Sequence, residues 1–193
     1  MHSLAPRSGL DHLTSAAGRA DGSAFSIVLR HDLALANVLV RKQHEAGFLS
    51  RVRSVYGLDL PRTPRRLDNG AISFTWAGPG HWLAMKEGVL GHTFEAQLRN
   101  ELAGVAYVSD QSDGRTVIRI SGLRARDVLS KGTPIDLHPR AFGPNDTAVT
   151  LIGHIGMHLW QVDDIPTYEL AVFRSYSAAL WGWIAQASAE FRS

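Results

Sequence analysis

The stretch "AISFTWAGPGHWLAM", Ala71 to Met85, decides the architecture. Ile72, Phe74 and Trp76 alternate with Ser73 and Thr75, the period-two pattern of a half-buried strand. Gly78, Pro79 and Gly80 supply a turn, and His81 to Met85 pairs back as a short strand. Upstream, Phe25 to Leu29 and Leu35 to Val40 are short apolar runs with β-branched residues and read as strands. His44 to Tyr56 then puts Phe48, Leu49, Val52, Val55 and Tyr56 at helical spacing, with Arg51 and Arg53 outward and Gly57 as C-terminal cap. Pro61 to Asn69 holds two prolines and three arginines and reads as a loop. Downstream, a helix near Val89 to Leu102 stacks Leu90, Phe94, Leu98 and Leu102, stops before Gly104, and gives way to a strand at Val105 to Ser109. From Leu35 onward the order is strand, helix, strand, strand, helix, strand, that of a ferredoxin-like split βαβ unit.

The pattern then repeats. Thr116 to Ser121 is a strand with Ile118 and Ile120 inward and Arg119 outward. Leu123 to Ser130 is a short helix with Val128 and Leu129 on its inner side. "YGLDLP" at Tyr56 to Pro61 is echoed by "PIDLHP" at Pro134 to Pro139, and Trp82 by Trp160. Strands follow at Ala148 to Ile152, Ile155 to Val162 and Tyr168 to Phe173. A last helix has Ser175 as its N-cap candidate and Tyr176, Leu180, Trp183, Ile184, Ala187 and Phe191 on one face. The fold class is therefore α+β, with duplicated split βαβ units over residues 35–110 and 114–191 inside a single domain, 24–193.

At 193 residues, 45% hydrophobic and 20% charged, the chain is long enough to bury a substantial core. It has no cysteine, which excludes disulfides, thiolate metal sites and a cysteine nucleophile. A net charge of +2 does not imply nucleic acid as a partner. Met1 to Ser23, rich in Ala, Ser and Gly, lacks the apolar core of a secretory signal and reads as a mobile leader. The apolar stretch Ala178 to Ala189 is too short to cross a bilayer, so the expectation is a soluble, cytoplasmic protein without a membrane partner.

Chemical motifs are sparse. His154 and His158 would share a helix face, but the surrounding glycines and β-branched residues place them in a hairpin, so no metal site is assigned. No G-x-S-x-G elbow or recognisable triad occurs, and no catalytic residue is assigned. A weak anion-site candidate lies where the strand ending at Ser121 turns through Gly122 into a helix, with Arg124 and Arg126 beside its N-terminus. Arg62, Arg65 and Arg66 form a basic cluster without interleaved aromatics and read as a solvated loop. In "SDQSDGR", Ser109 to Arg115, the carboxylates read as turn-makers rather than as an acid/base pair.

Three separated motifs carry a resemblance. "DQSDGRTVIRISGLRARDVLSKGTPIDLHPRAF", Asp110 to Phe142, "WAGPGHWL", Trp76 to Leu83, and "FRSYSAALWGWI", Phe173 to Ile184, resemble the γ subunit of heterotetrameric sarcosine oxidase. Thr133 departs from this pattern by standing where relatives often carry Cys, and Gly80 with His81 replaces a more acidic turn. The resemblance implies an accessory, non-catalytic chain in a complex that oxidatively demethylates sarcosine to glycine. Formaldehyde or methylenetetrahydrofolate and hydrogen peroxide are the other products. It implies α, β and δ subunits as partners, with FAD, FMN, NAD and tetrahydrofolate held by those partners and no cofactor in this chain. It also implies a fold similar to the folate-binding domain of the glycine-cleavage aminomethyltransferase. Related N-methyl amino-acid dehydrogenases have a similar chain, and a self-sufficient folate-binding one-carbon protein is the alternative of a different class.

For such a chain the surface matters most. On a helical wheel Trp181 falls outside the stripe of the last helix, and the loop Asp136 to Phe142 offers His138, Pro139, Arg140 and Phe142. Trp181 and this loop are expected to touch a partner rather than the chain's own core.

Overall fold

The computed structural model describes residues 25–191, so the expected leader, Met1 to Ser23, lies outside the described residues. In chain order the elements are β1 (Ser26–Leu29), β2 (Leu33–Val40), α1 (Glu45–Tyr56), β3 (Arg66–Asp68), β4 (Ser73–Gly78), β5 (His81–Glu87), α2 (Gly91–Glu101) and β6 (Ala106–Asp110). They continue with β7 (Arg115–Ser121), α3 (Ala125–Ser130), β8 (Thr147–Ile152), β9 (Ile155–Asp163), β10 (Thr167–Phe173) and α4 (Ser177–Ala187). No helix among the described residues is long and apolar enough to cross a membrane.

The strands form two five-stranded sheets whose named neighbours are all antiparallel. Sheet one runs β3-β4-β5-β2-β6 and sheet two runs β8-β9-β10-β7-β1. Read this way the two match position for position: α1 and α3 each follow the fourth-placed strand, and α2 and α4 each follow the third. Sheet one closes with β6, which follows α2. In sheet two the corresponding edge is filled by β1, from the other end of the described chain. Internal duplication is still a proposal about the chain's origin, and its second half needs Ser26–Leu29, which lies outside residues 114–191.

Strand alternation sorts the side chains into layers. In sheet one, Ala34, Ala36, Val38, Phe74, Trp82 and Ala84 face α1 and α2, where they meet Phe48, Val52, Phe94 and Leu98. In sheet two, Ile118, Ile120, Met157, Leu159, Leu170 and Val172 face α3 and α4. The opposite faces pack on each other through Leu35, Leu83 and Met85 from sheet one and Val117, Trp160 and Ala171 from sheet two. The result is helices, sheet, sheet, helices. This explains why Ser73 and Thr75 are buried: β4 has the expected alternation, but its polar face is covered by the second sheet rather than by water.

Several local expectations need correction. Part of the predicted loop Pro61 to Asn69 is β3, a short edge strand on β4. The adjoining chain stitches the sheets together, with Arg66 N–H donating to the Asn145 carbonyl at 2.8 Å and Thr147 N–H to that of Pro64 at 3.3 Å. Leu90 is 65% exposed because it is the extended residue preceding α2, and Val55 is 41% exposed. Gly57 caps α1 as expected, at φ 68°, with its N–H on the Arg53 carbonyl. Leu58 and Leu60 pack in sheet one's helix-side core, and Leu137 and Ile135 pack in sheet two's. Trp82 and Trp160 are not counterparts, because Trp82 faces helices from β5 and Trp160 faces the other sheet from β9.

Trp181 belongs to the core. With Ser177, Leu180 and Ile184 it makes up the buried residues of α4, spanning an arc of roughly 100°. Tyr176, at the edge of the predicted stripe, is 51% exposed. The aromatic residues turn the predicted stripe about half a residue step away from the buried arc. Small Ser177 faces the sheet, while Trp183 lies to one side against Gly132 and Gly153.

Candidate functional site

The space between the sheets has two chemically different ends, because β7 and β10 carry Arg119 and Glu169 toward one end of their inward rows and Arg115 and Phe173 toward the other. At the first end Glu169 of β10 is 3% exposed. Its carboxylate accepts from Arg119 Nε at 2.9 Å, from Trp160 Nε1 at 2.8 Å and from the Arg30 guanidinium. Arg30 also binds Asp32, through Nε at 2.8 Å, and Glu87. The hydrogen bond to Asp32, reinforced by Glu169 and Glu87, raises the Arg30 pKa, while Arg30 lowers that of Asp32. Arg119, expected to face outward, points into this inter-sheet cluster. With three donors on Glu169 this end is electrostatically complete, as a buried carboxylate requires.

At the opposite end the sheets part around a cavity of about 300 Å³. Sheet one contributes Asn37, Leu39, His81, Tyr107 and Ser109, and sheet two contributes Arg115 and His158. The Arg115 guanidinium lies over the Phe173 ring at 4.6 Å, and its Nε is buried without a hydrogen-bond partner. Burial lowers the Arg115 pKa, and no carboxylate offsets that effect. His158 is 9% exposed and its Nδ1 has no partner. Burial first, then the Arg115 charge, depress its pKa to about 4, so it is neutral at physiological pH. This end can receive an anion; it holds neither a nucleophile–base pair nor, among the described residues, a cluster that could hold a metal.

A second cavity of about 300 Å³ lies between the start of α1 and the β4–β5 hairpin. Trp76, Trp82, Pro79 and Gly80 of the "WAGPGHWL" stretch form one wall, with Arg41, Lys42 and Arg62 nearby. Arg62 pairs with Glu45 at 3.4 Å, and Arg41 stacks over Tyr107 at 4.6 Å.

The residues of the predicted anion site make contacts within the chain. Arg124 is paired with Asp127 at 2.9 Å and Arg126 donates to the Tyr168 hydroxyl at 3.1 Å. The helix they flank, α3, has only six residues. Of the predicted partner set, Phe142 is 7% exposed and stacks on Tyr168 at 6.5 Å, so with Trp181 it belongs to the chain's own core. Asp136, His138, Pro139 and Arg140 are exposed. Asp136 accepts from the His138 N–H at 2.8 Å, and the Arg140 N–H donates to His138 Nδ1 at 3.2 Å, which gives the loop a fixed shape. The basic cluster is neutralised residue by residue: Arg62 by Glu45, Arg65 by Asp146 and Arg66 by Asp68. His154 sits in the β8–β9 turn at φ 75°, away from the row occupied by His158. In the Ser109 to Arg115 stretch, Asp110 accepts from Ser112 N–H and Oγ at 2.9 and 2.6 Å, as a turn-maker does.

Sequence reasoning passed over Glu169 and Arg30. A lone Glu inside the apolar strand "TYELAVF" was the available signal, since a carboxylate there must find a buried partner.

Residues 41–190 match the model of the family described as sarcosine oxidase, gamma subunit. The chain belongs to the sarcosine oxidase gamma subunit family. This gamma-type chain is 32% identical to the sarcosine oxidase gamma subunit of an Arthrobacter species over 97% of its length and 92% of the relative's. It is also 32% identical to that of Corynebacterium sp. strain P-1, with the same coverage. Among solved structures it matches a chain of the heterotetrameric sarcosine oxidase of Corynebacterium sp. U-96, solved in complex with pyrrole 2-carboxylate. The TM-score is 0.84 at 25% identity over 97% of both chains. The aminomethyltransferase T of Bartonella henselae shares the fold, with a TM-score of 0.64 at 12% identity over 84% of this chain and 46% of the transferase.

Proposed function

We propose that this chain is the non-catalytic gamma subunit of a heterotetrameric, flavin-dependent complex that oxidatively demethylates sarcosine to glycine. The observation that carries the reading is the end-to-end correspondence with a chain of a heterotetrameric sarcosine oxidase, 97% of both chains at a TM-score of 0.84. In this reading alpha, beta and delta subunits are its cytoplasmic partners and hold the flavins, the dinucleotide and the folate. Formaldehyde or methylenetetrahydrofolate, and hydrogen peroxide, are the further products. Its own contribution is a rigid double-sheet body whose surfaces organise the others. Arg124 and Arg126, the residues that motivated the folate-binding alternative, pair with Asp127 and donate to the Tyr168 hydroxyl, respectively.

The test is co-purification of the tagged chain from its own cell, with the associated proteins and flavin identified and sarcosine oxidation assayed. Stoichiometric flavoprotein partners and activity only in the complex are expected. Bound flavin or sarcosine turnover by the purified chain alone contradicts the assignment.

A further inference from the structure

Resting on that reading, we propose that the open end of the inter-sheet space is a docking cleft for an acidic side chain carried on an extended segment of a partner subunit, with Arg115 as its counter-charge. Three observations support this. Arg115 is a part-buried cation stacked on Phe173, with no carboxylate offsetting its charge and a buried Nε lacking any partner. A cation in that position is costly for the free chain unless an anion arrives. The neighbouring buried polar group, His158 Nδ1, is also unpartnered and adjoins the same cavity. The carboxylate that would complete the site is therefore missing from this chain's own contacts, although the equivalent requirement at the other end is met by Glu169.

The rim identifies the carrier. Tyr107 is 57% exposed and Leu39 40% on sheet one, and Phe173 is 52% exposed on sheet two. Val149 and Leu151, 52% and 50% exposed, lie on the same face of sheet two as His158. An aromatic and aliphatic rim around a part-buried arginine is the composition of a protein interface, and it offers more apolar area than a small carboxylate could cover. Tyr107 and Ser109 lie on β6, the edge strand of sheet one, whose free backbone groups suit an extended segment.

The experiment compares the wild-type chain with Arg115→Met, Arg115→Glu and Tyr107→Ser, and with Leu123→Ser as a control at a residue 78% exposed elsewhere. Affinity for the partner subunits found by co-purification and the melting temperature of each chain are both measured. Arg115→Met is expected to weaken assembly about 30-fold while leaving the melting temperature of the free chain unchanged or higher, because it removes an unpaired charge. Arg115→Glu is expected to weaken assembly further, and Tyr107→Ser about 10-fold, as loss of an aromatic interface contact does. The control changes neither quantity. The proposal is overturned if the wild type assembles and the Arg115 variants assemble equally well, or if Arg115→Met simply unfolds the chain. It also fails if Arg115→Met abolishes only self-association, or only the binding of acetate added as a small carboxylate. Failure of the wild type to assemble with flavoprotein subunits instead rejects the function on which the proposal rests.

Discussion

The two ends of the inter-sheet space are built from the same strands and solve the same problem differently. β7 and β10 carry Arg119 and Glu169 toward one end and Arg115 and Phe173 toward the other. At the first, a buried carboxylate collects two guanidiniums and an indole N–H. At the second, a part-buried guanidinium and a buried imidazole each have a buried nitrogen without a partner, beneath exposed apolar side chains. A fold can retain an incomplete polar site when the missing group is supplied from outside, so the closed end is read as holding the chain together and the open end as its contact surface.

The sharpest way to break this contrast is Glu169→Ala. It leaves the Trp160 indole without its acceptor and removes the anion shared by Arg30 and Arg119, so chemical denaturation should show a loss of about 3–5 kcal/mol. A smaller loss would mean that Asp32 and Glu87 alone neutralise this end.

Acidification probes the open end. The folded pKa of His158, about 4, lies below its unfolded value near 6.5, so the unfolded chain binds more protons between these values. The stabilising contribution is present above pH 6.5 and is lost as pH falls toward 4. Its full size is on the order of 3 kcal/mol. Denaturation midpoints of the wild type and His158→Leu, measured across that window, should show the extra slope only in the wild type.

A smaller effect is expected in the helix layer. A Cβ on Gly153, which has φ 51°, would lie 2.7 Å from Trp183 Cδ1, so Gly153→Ala should cost about 2 kcal/mol by thermal melting. Arg124→Ala should change stability by less than about 0.5 kcal/mol, because its pair with Asp127 is solvent-exposed. It should also leave assembly unchanged, in contrast to Arg115→Met.

Sequence reasoning recovered what is local. The Ala71 to Met85 hairpin, the Phe48/Val52 and Phe94/Leu98 helix faces and the Gly57 cap follow from periodicity and turn chemistry. What it missed is set by distant chain. Arg66–Asp68 is a strand only because β4 offers an edge, and Ser73 and Thr75 are buried only because another sheet arrives. That β1 completes sheet two is a pairing with Arg115–Ser121 that no local pattern announces. Trp181 was misplaced because its wheel was oriented by aromatics, whereas Ser177 shares the buried arc. Of the open site, the local sequence shows Arg115 only as the end of a turn and His158 only as a hairpin histidine. Their significance lies in a juxtaposition across two sheets.

Hydrogen–deuterium exchange of the chain, alone and within the purified complex, tests the central claim most directly. Assembly is expected to raise protection in β6, around Tyr107, and around Arg115 and Phe173, while exchange near Glu169 and Trp160 stays as it is in the free chain. Protection gained instead at Asp136 to Phe142 or around Arg124, with β6 and Arg115 unchanged, would contradict it.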